Sequence, residues 1–373
     1  MLLLAGATAL PMLAIPLTGG MHPDQTAILS LAGLLGFFGG PAHVAMTSWF
    51  YTDPVAREHF RAHPWRYGFI PAALVVGTTA AYAIWQESQP TRWINFGFTV
   101  WLLWHYQKQN WGIHSFVTRV MSGGSASRLE EWIVRLAVVG GIVGGIRSAG
   151  FGGGTPVEAY AGAAFATGAA ITLALPLLIA VALATVPALR AEPLRIASLC
   201  GIAAFFLPVF AFRNPNNAVL PYALAHGLQY AVFMSYVGRS TRAQKSEVWR
   251  PGLATMAVCL LAVGWMLRSF GNVGQVREWN LLPLFGLTLG VTMAHFVIDA
   301  GIWRLRDEFP RRYVGAAFPF LKPRTAGVAA VQVCDERPVA DTADERPVAE
   351  PADERPVAEP AAERPFAMAR HGR

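Results

Sequence analysis

Ten apolar stretches divide most of the chain, at roughly 2–18, 25–49, 66–86, 93–118, 129–147, 158–186, 194–212, 217–237, 251–268 and 280–303. Each is close to the twenty or so residues that a bilayer-crossing helix needs. Hydrophobic residues make up 54% of the sequence and charged residues 14%, against about 25% charged in a soluble domain. The expected fold class is therefore all-α: a polytopic transmembrane bundle of about ten helices, spanning residues 1–312.

The net charge of +7 does not point to nucleic acid, because the arginines are spread through short loops instead of forming a patch. With the N-terminus in the cytoplasm, Arg57, Arg61, Arg66, Arg119, Arg128, Arg190, Arg195, Arg239, Arg242, Lys245 and Arg250 fall on the inner side. Only Arg92, Arg147, Arg213, Arg268 and Arg277 fall on the outer side. That asymmetry is the positive-inside pattern. It predicts a multi-pass protein of the cytoplasmic membrane with both termini inside. The run from Met1 to Leu17 has no basic leading segment, so it reads as a first helix and not as a cleaved signal.

Residues 313–373 are expected to form a disordered cytoplasmic tail. From Cys334 onward Asp-Glu-Arg-Pro-Val-Ala recurs every nine residues, beginning at Asp335, Asp344 and Asp353, with a degenerate copy at Ala362. Proline, alternating charge and few large apolar residues cannot bury enough surface to fold. Such a tail could dock a cytoplasmic protein, but neutral repeat expansion is the better account of it. The three cysteines, Cys200, Cys259 and Cys334, show no paired spacing. Gly140 with Gly144 and Gly141 with Gly145 set small residues four apart, which lets helices approach closely.

The fourth apolar stretch carries the most costly residues. Trp101-Leu-Leu-Trp104-His105-Tyr106-Gln107-Lys108-Gln109-Asn110 puts a histidine, a lysine, two glutamines and an asparagine where lipid would reject them. Polar groups at that depth usually face inward and are usually functional. His105, Lys108, Gln109 and Gly112 share one helical face, which is expected to point into the protein. Three other stretches each bring one histidine to a comparable depth: His43, His226 and His295. All four lie on even-numbered segments, which run in the same direction, and their depths agree within about 15 Å at the helical rise.

Each has a polar companion nearby: Thr47 for His43, Gln109 for His105, Gln229 and Tyr230 for His226, Asp299 for His295. A carboxylate beside an imidazole fixes a ligating tautomer. Lys108 needs a counter-charge, and Asp299 is the carboxylate expected to supply it, which would make their helices neighbours. His114 lies half a turn off the shared face and is a weaker ligand. His59 and His63 have a metal-capable spacing in an arginine-rich loop, and His22 and His371 are expected to be solvated.

Histidines with at most one carboxylate suit iron, copper or zinc, not magnesium or calcium. A site inside a bilayer meets lipophilic substrates, membrane lipid and molecular oxygen. Non-haem iron oxygenation or desaturation follows as the expected chemistry. His43, His105, His226 and His295 would hold the metal, with Lys108, Asp299 and Tyr230 as catalytic groups. Trp101, Trp104, Tyr106, Gln109 and Trp303 would line the substrate pocket.

The segments Gly39-Gly-Pro-Ala-His43, Trp104-His105-Tyr106 and His295-x3-Asp299, each on an apolar stretch, resemble the Brp/Blh group of bacterial membrane β-carotene dioxygenases. That resemblance implies a polytopic enzyme that cleaves a carotenoid at an iron held by intramembrane histidines. It rests on these short segments, and the chain departs from the pattern at Lys108 and Gln109. Two rival classes use the same residues. In a b-type haem protein His43 would pair with His226 and His105 with His295 as axial ligands. In a proton-coupled transporter Lys108, Asp299 and the histidines would form a relay.

Overall fold

The computed structural model describes residues 40–148, 153–211, 215–240, 251–271, 273–278 and 280–318. Among them every regular element is helical. Helix α1 (Pro41–Ser48) is followed by α2 (Pro54–Ala62), α3 (Ile70–Trp85), α4 (Gln89–Ser122), α5 (Arg128–Ser148) and α6 (Ala161–Thr185). Then come α7 (Pro187–Arg190), α8 (Pro193–Ala203), α9 (Pro208–Ala211), α10 (Pro215–Ser240), α11 (Pro251–Phe270), α12 (Val273–Glu278), α13 (Leu282–Ile302) and α14 (Glu308–Tyr313). Boundaries follow local chemistry. Asp53 caps α2 by accepting from Val55 N and Ala56 N at 3.0 Å, with Pro54 in the first turn. Gly123 ends α4 in the left-handed region, at φ +66°.

Three helical segments are long and apolar enough to cross a membrane: Trp65–Trp85, Pro156–Thr185 and Leu282–Ile302. They support membrane association. Seven of the apolar stretches coincide with one long helix each, α3, α4, α5, α6, α10, α11 and α13. The ten-span layout meets a correction at 194–212. There the chain makes α8, of 11 residues, and then turns into the short α9, and α8 alone rises only about 16 Å. Pro221 does not interrupt α10, which continues through it. The first stretch and most of the second lie outside the described residues, as do His22, His371 and the nine-residue repeats. The folded part runs past residue 312: Val314, Ala317 and Phe318 are buried in the same apolar cluster as Trp49, Phe233 and Ile302.

Two helix pairs pack most closely. Between α3 and α13, Thr78 Oγ1 donates to the carbonyl of Gly286 at 2.7 Å, and a Cβ on Gly290 would lie 2.6 Å from Val75 Cα. Between α5 and α6, a Cβ on Gly168 would lie 2.5 Å from the backbone N of Gly144. The Gly140 and Gly144 spacing therefore serves helix packing, with Gly168 as its partner across the interface. Gly141 instead accommodates the ring of Phe206.

Gly168→Val should lower the thermal unfolding temperature by the equivalent of about 1–3 kcal/mol, the usual cost of overpacking. Gly97→Ala, in open space on α4, should be neutral or stabilise by roughly 0.5–1 kcal/mol. A detergent thermal-shift series on both variants checks the contrast.

Candidate functional site

Helices α1, α4, α10 and α13 each deliver one histidine to a common point. The ring centroids of His43 and His226 are 4.6 Å apart, His226 and His105 5.0 Å, His105 and His295 5.1 Å, and His295 and His43 4.9 Å. The four rings thus form a closed quadrilateral with edge-to-face neighbours. One ligating atom each from His43, His226 and His295 lie within 4.8 Å of one another, and so do those of His105, His295 and Asp299. His43, His226 and His295 are buried, while His105 borders a cleft.

Beneath the rings lies a hydrogen-bond hub centred on Thr47. Its Oγ1 is 2.7 Å from His295 Nδ1, 2.6 Å from the Tyr230 hydroxyl and 3.3 Å from Asp299 Oδ1. Tyr230 donates to the same Asp299 oxygen at 3.0 Å. Asp299 sits one helical turn beyond His295, at 3.6 Å from its Nδ1, and 4.0 Å from His105 Nε2. The consistent assignment has His295 Nδ1–H donating to Thr47, which leaves the Nε2 lone pair aimed at the other rings. Three helices, α1, α10 and α13, are joined by these hydrogen bonds, so the hub fixes where their imidazoles stand.

The donor chemistry fits a transition metal. Both ring nitrogens of His226, and Nε2 of His105 and of His295, are buried without a hydrogen-bond partner. Each such orphan costs on the order of 1–3 kcal/mol in a native interior. A cation ligated by nitrogens at about 2.0–2.1 Å would satisfy several at once, after a small contraction of the quadrilateral. Phe296 stacks on His105 at 4.4 Å and Tyr106 lies 4.3 Å from His226, so the rings are also held by aromatic packing.

Beside the histidines opens a cleft of about 800 Å³. Trp101, Trp104, Gln109 and Trp303 line it as expected, together with His105, Lys108, Tyr230, Phe233, Phe296 and Asp299. Tyr106 does not. It is buried 3% exposed, on the opposite face of α4, against His226 and Tyr222. Lys108 is a second correction. It does not pair with Asp299 but is exposed, with Nζ 5.3 Å from the centroid of the Trp104 ring. A long flexible stem lets its ammonium leave the interior, which short polar side chains cannot do. The face His105, Lys108, Gln109 and Gly112 is the cleft wall, and the buried face is Leu103, Tyr106, Gln107, Asn110, Ile113 and His114.

The companions are also redistributed. Thr47 reaches His295 across the helix interface. Gln109 donates to the His226 carbonyl at 3.0 Å and to Gln229 at 2.8 Å instead of supporting His105. Tyr230 supports Asp299. Helical spacing correctly marked these residues as inward but could not show which neighbouring helix each would meet.

His114 belongs to a different site. Its Nε2 is 3.0 Å from Glu130 Oε1 and its Nδ1 3.2 Å from Ser198 Oγ. Arg195 grips both Glu130 oxygens, at 2.9 and 2.7 Å. Sequence reasoning missed this triad because Glu130 and Arg195 stand at helix ends, where they read as loop charges, yet both are buried. Glu130 is thus a second buried carboxylate beside Asp299. His59 and His63 are 4.3 Å apart, with His59 stacked on Phe309 at 3.8 Å, and no third ligand joins them among the described residues. Burial, aided by His63 and Arg66, holds His59 below the usual imidazole range. Cys200 is exposed instead of buried, and Cys259 is partly buried.

No family model, curated protein or solved structure matches this chain.

Arg195→Met should destabilise the fold by about 3–5 kcal/mol by leaving the Glu130 carboxylate buried and unpaired. Replacing both as Arg195→Met and Glu130→Met should recover much of that loss. Chemical denaturation of the single and double variants in detergent measures the difference.

Proposed function

We propose that this chain is a multi-pass membrane oxygenase. In it His43, His105, His226 and His295 hold a non-haem iron, and the substrate is a lipophilic molecule of carotenoid or lipid type. The observation that carries the proposal is the meeting of four imidazoles from four helices, with unsatisfied buried nitrogens on His105, His226 and His295, at the edge of an aromatic cleft. The order of the short histidine segments, similar to the Brp/Blh group, points the same way. The basic residues favour an inner-membrane orientation with cytoplasmic termini.

Nitrogen-rich ligation suits iron, copper or zinc, and an apolar cleft where oxygen dissolves well favours iron. When bound, the metal supplies activation of molecular oxygen. The chain's own residues supply position. Thr47 anchors His295 through Nδ1, and Asp299 with Tyr230 keeps that anchor in place. Trp101, Trp104, Phe296 and Trp303 present apolar surface to the substrate and exclude water from the ring edges of His105. The Tyr230 hydroxyl donates to Asp299 at 3.0 Å on the cleft wall, which places a proton donor beside the histidines.

The rival classes find less support. Haem ligation would need a macrocycle between His43 and His226, or between His105 and His295, yet those rings are in edge-to-face contact. A proton relay through Lys108 loses its link, since that ammonium lies over Trp104 and Asp299 is bonded to Thr47 and Tyr230.

Protein purified without chelators should carry about one iron per chain by elemental analysis. His43→Ala, His105→Ala, His226→Ala and His295→Ala should each lower that by tenfold or more, as loss of one ligand generally does. Thr47→Val should weaken retention about 10–100-fold, as for other groups that orient a ligand, while His63→Ala should have no effect. Full metal retention in all four histidine variants would overturn the proposal.

A further inference from the structure

We infer, resting on the oxygenase reading of the same cleft, that the ligand is a long-chain amphiphile whose anionic head group, a carboxylate or a phosphate, is held by Arg304 and Arg306. The cleft is chemically graded. Toward the N-terminal end of its α4 wall are Trp101 and Trp104, faced by Phe296, with the Lys108 ammonium resting on the Trp104 ring. At the end beyond α13 the wall becomes Arg304, Leu305 and Arg306.

The charge balance on this wall is positive. Asp299 is its one carboxylate, and that group already accepts from Thr47 and Tyr230. Asp307 faces both guanidiniums, at 3.7 Å from Arg304 and 3.9 Å from Arg306. One carboxylate is thus shared by two cations, and neither contact reaches hydrogen-bonding distance. Lys108 has no carboxylate within ion-pair distance among the described residues, only the face of Trp104. Cations beside low-dielectric walls focus potential into a cleft, and guanidinium groups bind carboxylate and phosphate oxygens in pairs.

Size and register agree with this. The volume, about 800 Å³, is in the upper part of the roughly 300–1,000 Å³ range of small-molecule sites. The α4 wall from Trp101 to Phe116 rises about 22 Å, which calls for an extended ligand. Asp299 and Arg304 are five residues apart, about 8 Å if measured at the helical rise. A head group held at Arg304 and Arg306 therefore presents to His105 a chain position counted from the anion, not from the free end.

The test is a tryptophan-fluorescence titration of the full chain in detergent. The probes are a long-chain polyene carboxylic acid, an alkyl phosphate of the same length, and the corresponding alcohol and methyl ester. The acid or the phosphate should bind at least tenfold tighter than the alcohol and ester, and whichever does so identifies the head group. Arg304→Gln and Arg306→Gln combined should erase that gap, read as the ratio of acid or phosphate affinity to alcohol affinity in the same variant. Equal affinity for all four probes, or a gap that survives the double variant, would overturn the inference. His226→Ala keeps the two proposals separate: loss of metal with the head-group gap retained is expected. A wild-type chain that binds no metal but keeps the gap removes the oxygenase reading alone. One that binds metal without a gap removes only this inference.

Discussion

Thr47 is the residue on which the centre depends. A threonine on α1 touches a histidine and an aspartate of α13 and a tyrosine of α10 within 3.3 Å. In an apolar interior such contacts are strong and an unmade one is expensive. The hub therefore does more than satisfy four polar groups. It sets the mutual rotation of three helices, and with it the point at which their imidazoles meet. His105, on the fourth helix, joins through ring contacts with His226, His295 and Phe296. The result is a polar cluster whose lower half is saturated with hydrogen bonds and whose upper half is rich in unsatisfied nitrogen.

Much of this arrangement was legible in the sequence, for an identifiable reason. A histidine in an apolar helix is costly, so its presence at positions 43, 105, 226 and 295 marks inward faces, and four inward faces at similar depth have one common place to go. Asp299 was legible by its one-turn spacing from His295. What spacing could not give was the identity of cross-helix partners, since that depends on crossing angles and relative rotations set by the whole packing. Hence Gln109 and Tyr230 were marked as polar companions of His105 and His226, whereas Gln109 meets the His226 carbonyl and Gln229, and Tyr230 meets Thr47 and Asp299.

Lys108 and Glu130 show opposite errors with one cause. Lys108 looked buried because it lies mid-stretch, but its stem carries the charge out over Trp104. Glu130 looked solvated because it lies near a helix start, but it is enclosed by His114, Ser127 and Arg195. Linear position tells how deep a backbone atom sits along an axis, whereas exposure depends on the radial direction and on side-chain length. The low hydropathy of α4 has the same origin. One face meets a polar interior and another a cleft, so a helix of 34 residues fails a test of mean apolarity although it runs through the heart of the fold.

The Arg195 clamp has a mechanical consequence. It fastens α4 to α5 and α8 on the side away from the cleft, and Gln107 adds a bond from α4 to the Val134 carbonyl at 2.8 Å. Pulling α4 outward would expose a guanidinium and a carboxylate to an environment that cannot solvate them well. On the other side Gln109 ties α4 to α10, donating to the His226 carbonyl at 3.0 Å and to Gln229 at 2.8 Å, whereas α13 meets α4 through the rings of Trp101, His105, His295 and Phe296. The seam between α4 and α13, held by ring contacts, is therefore the softer side of the cavity.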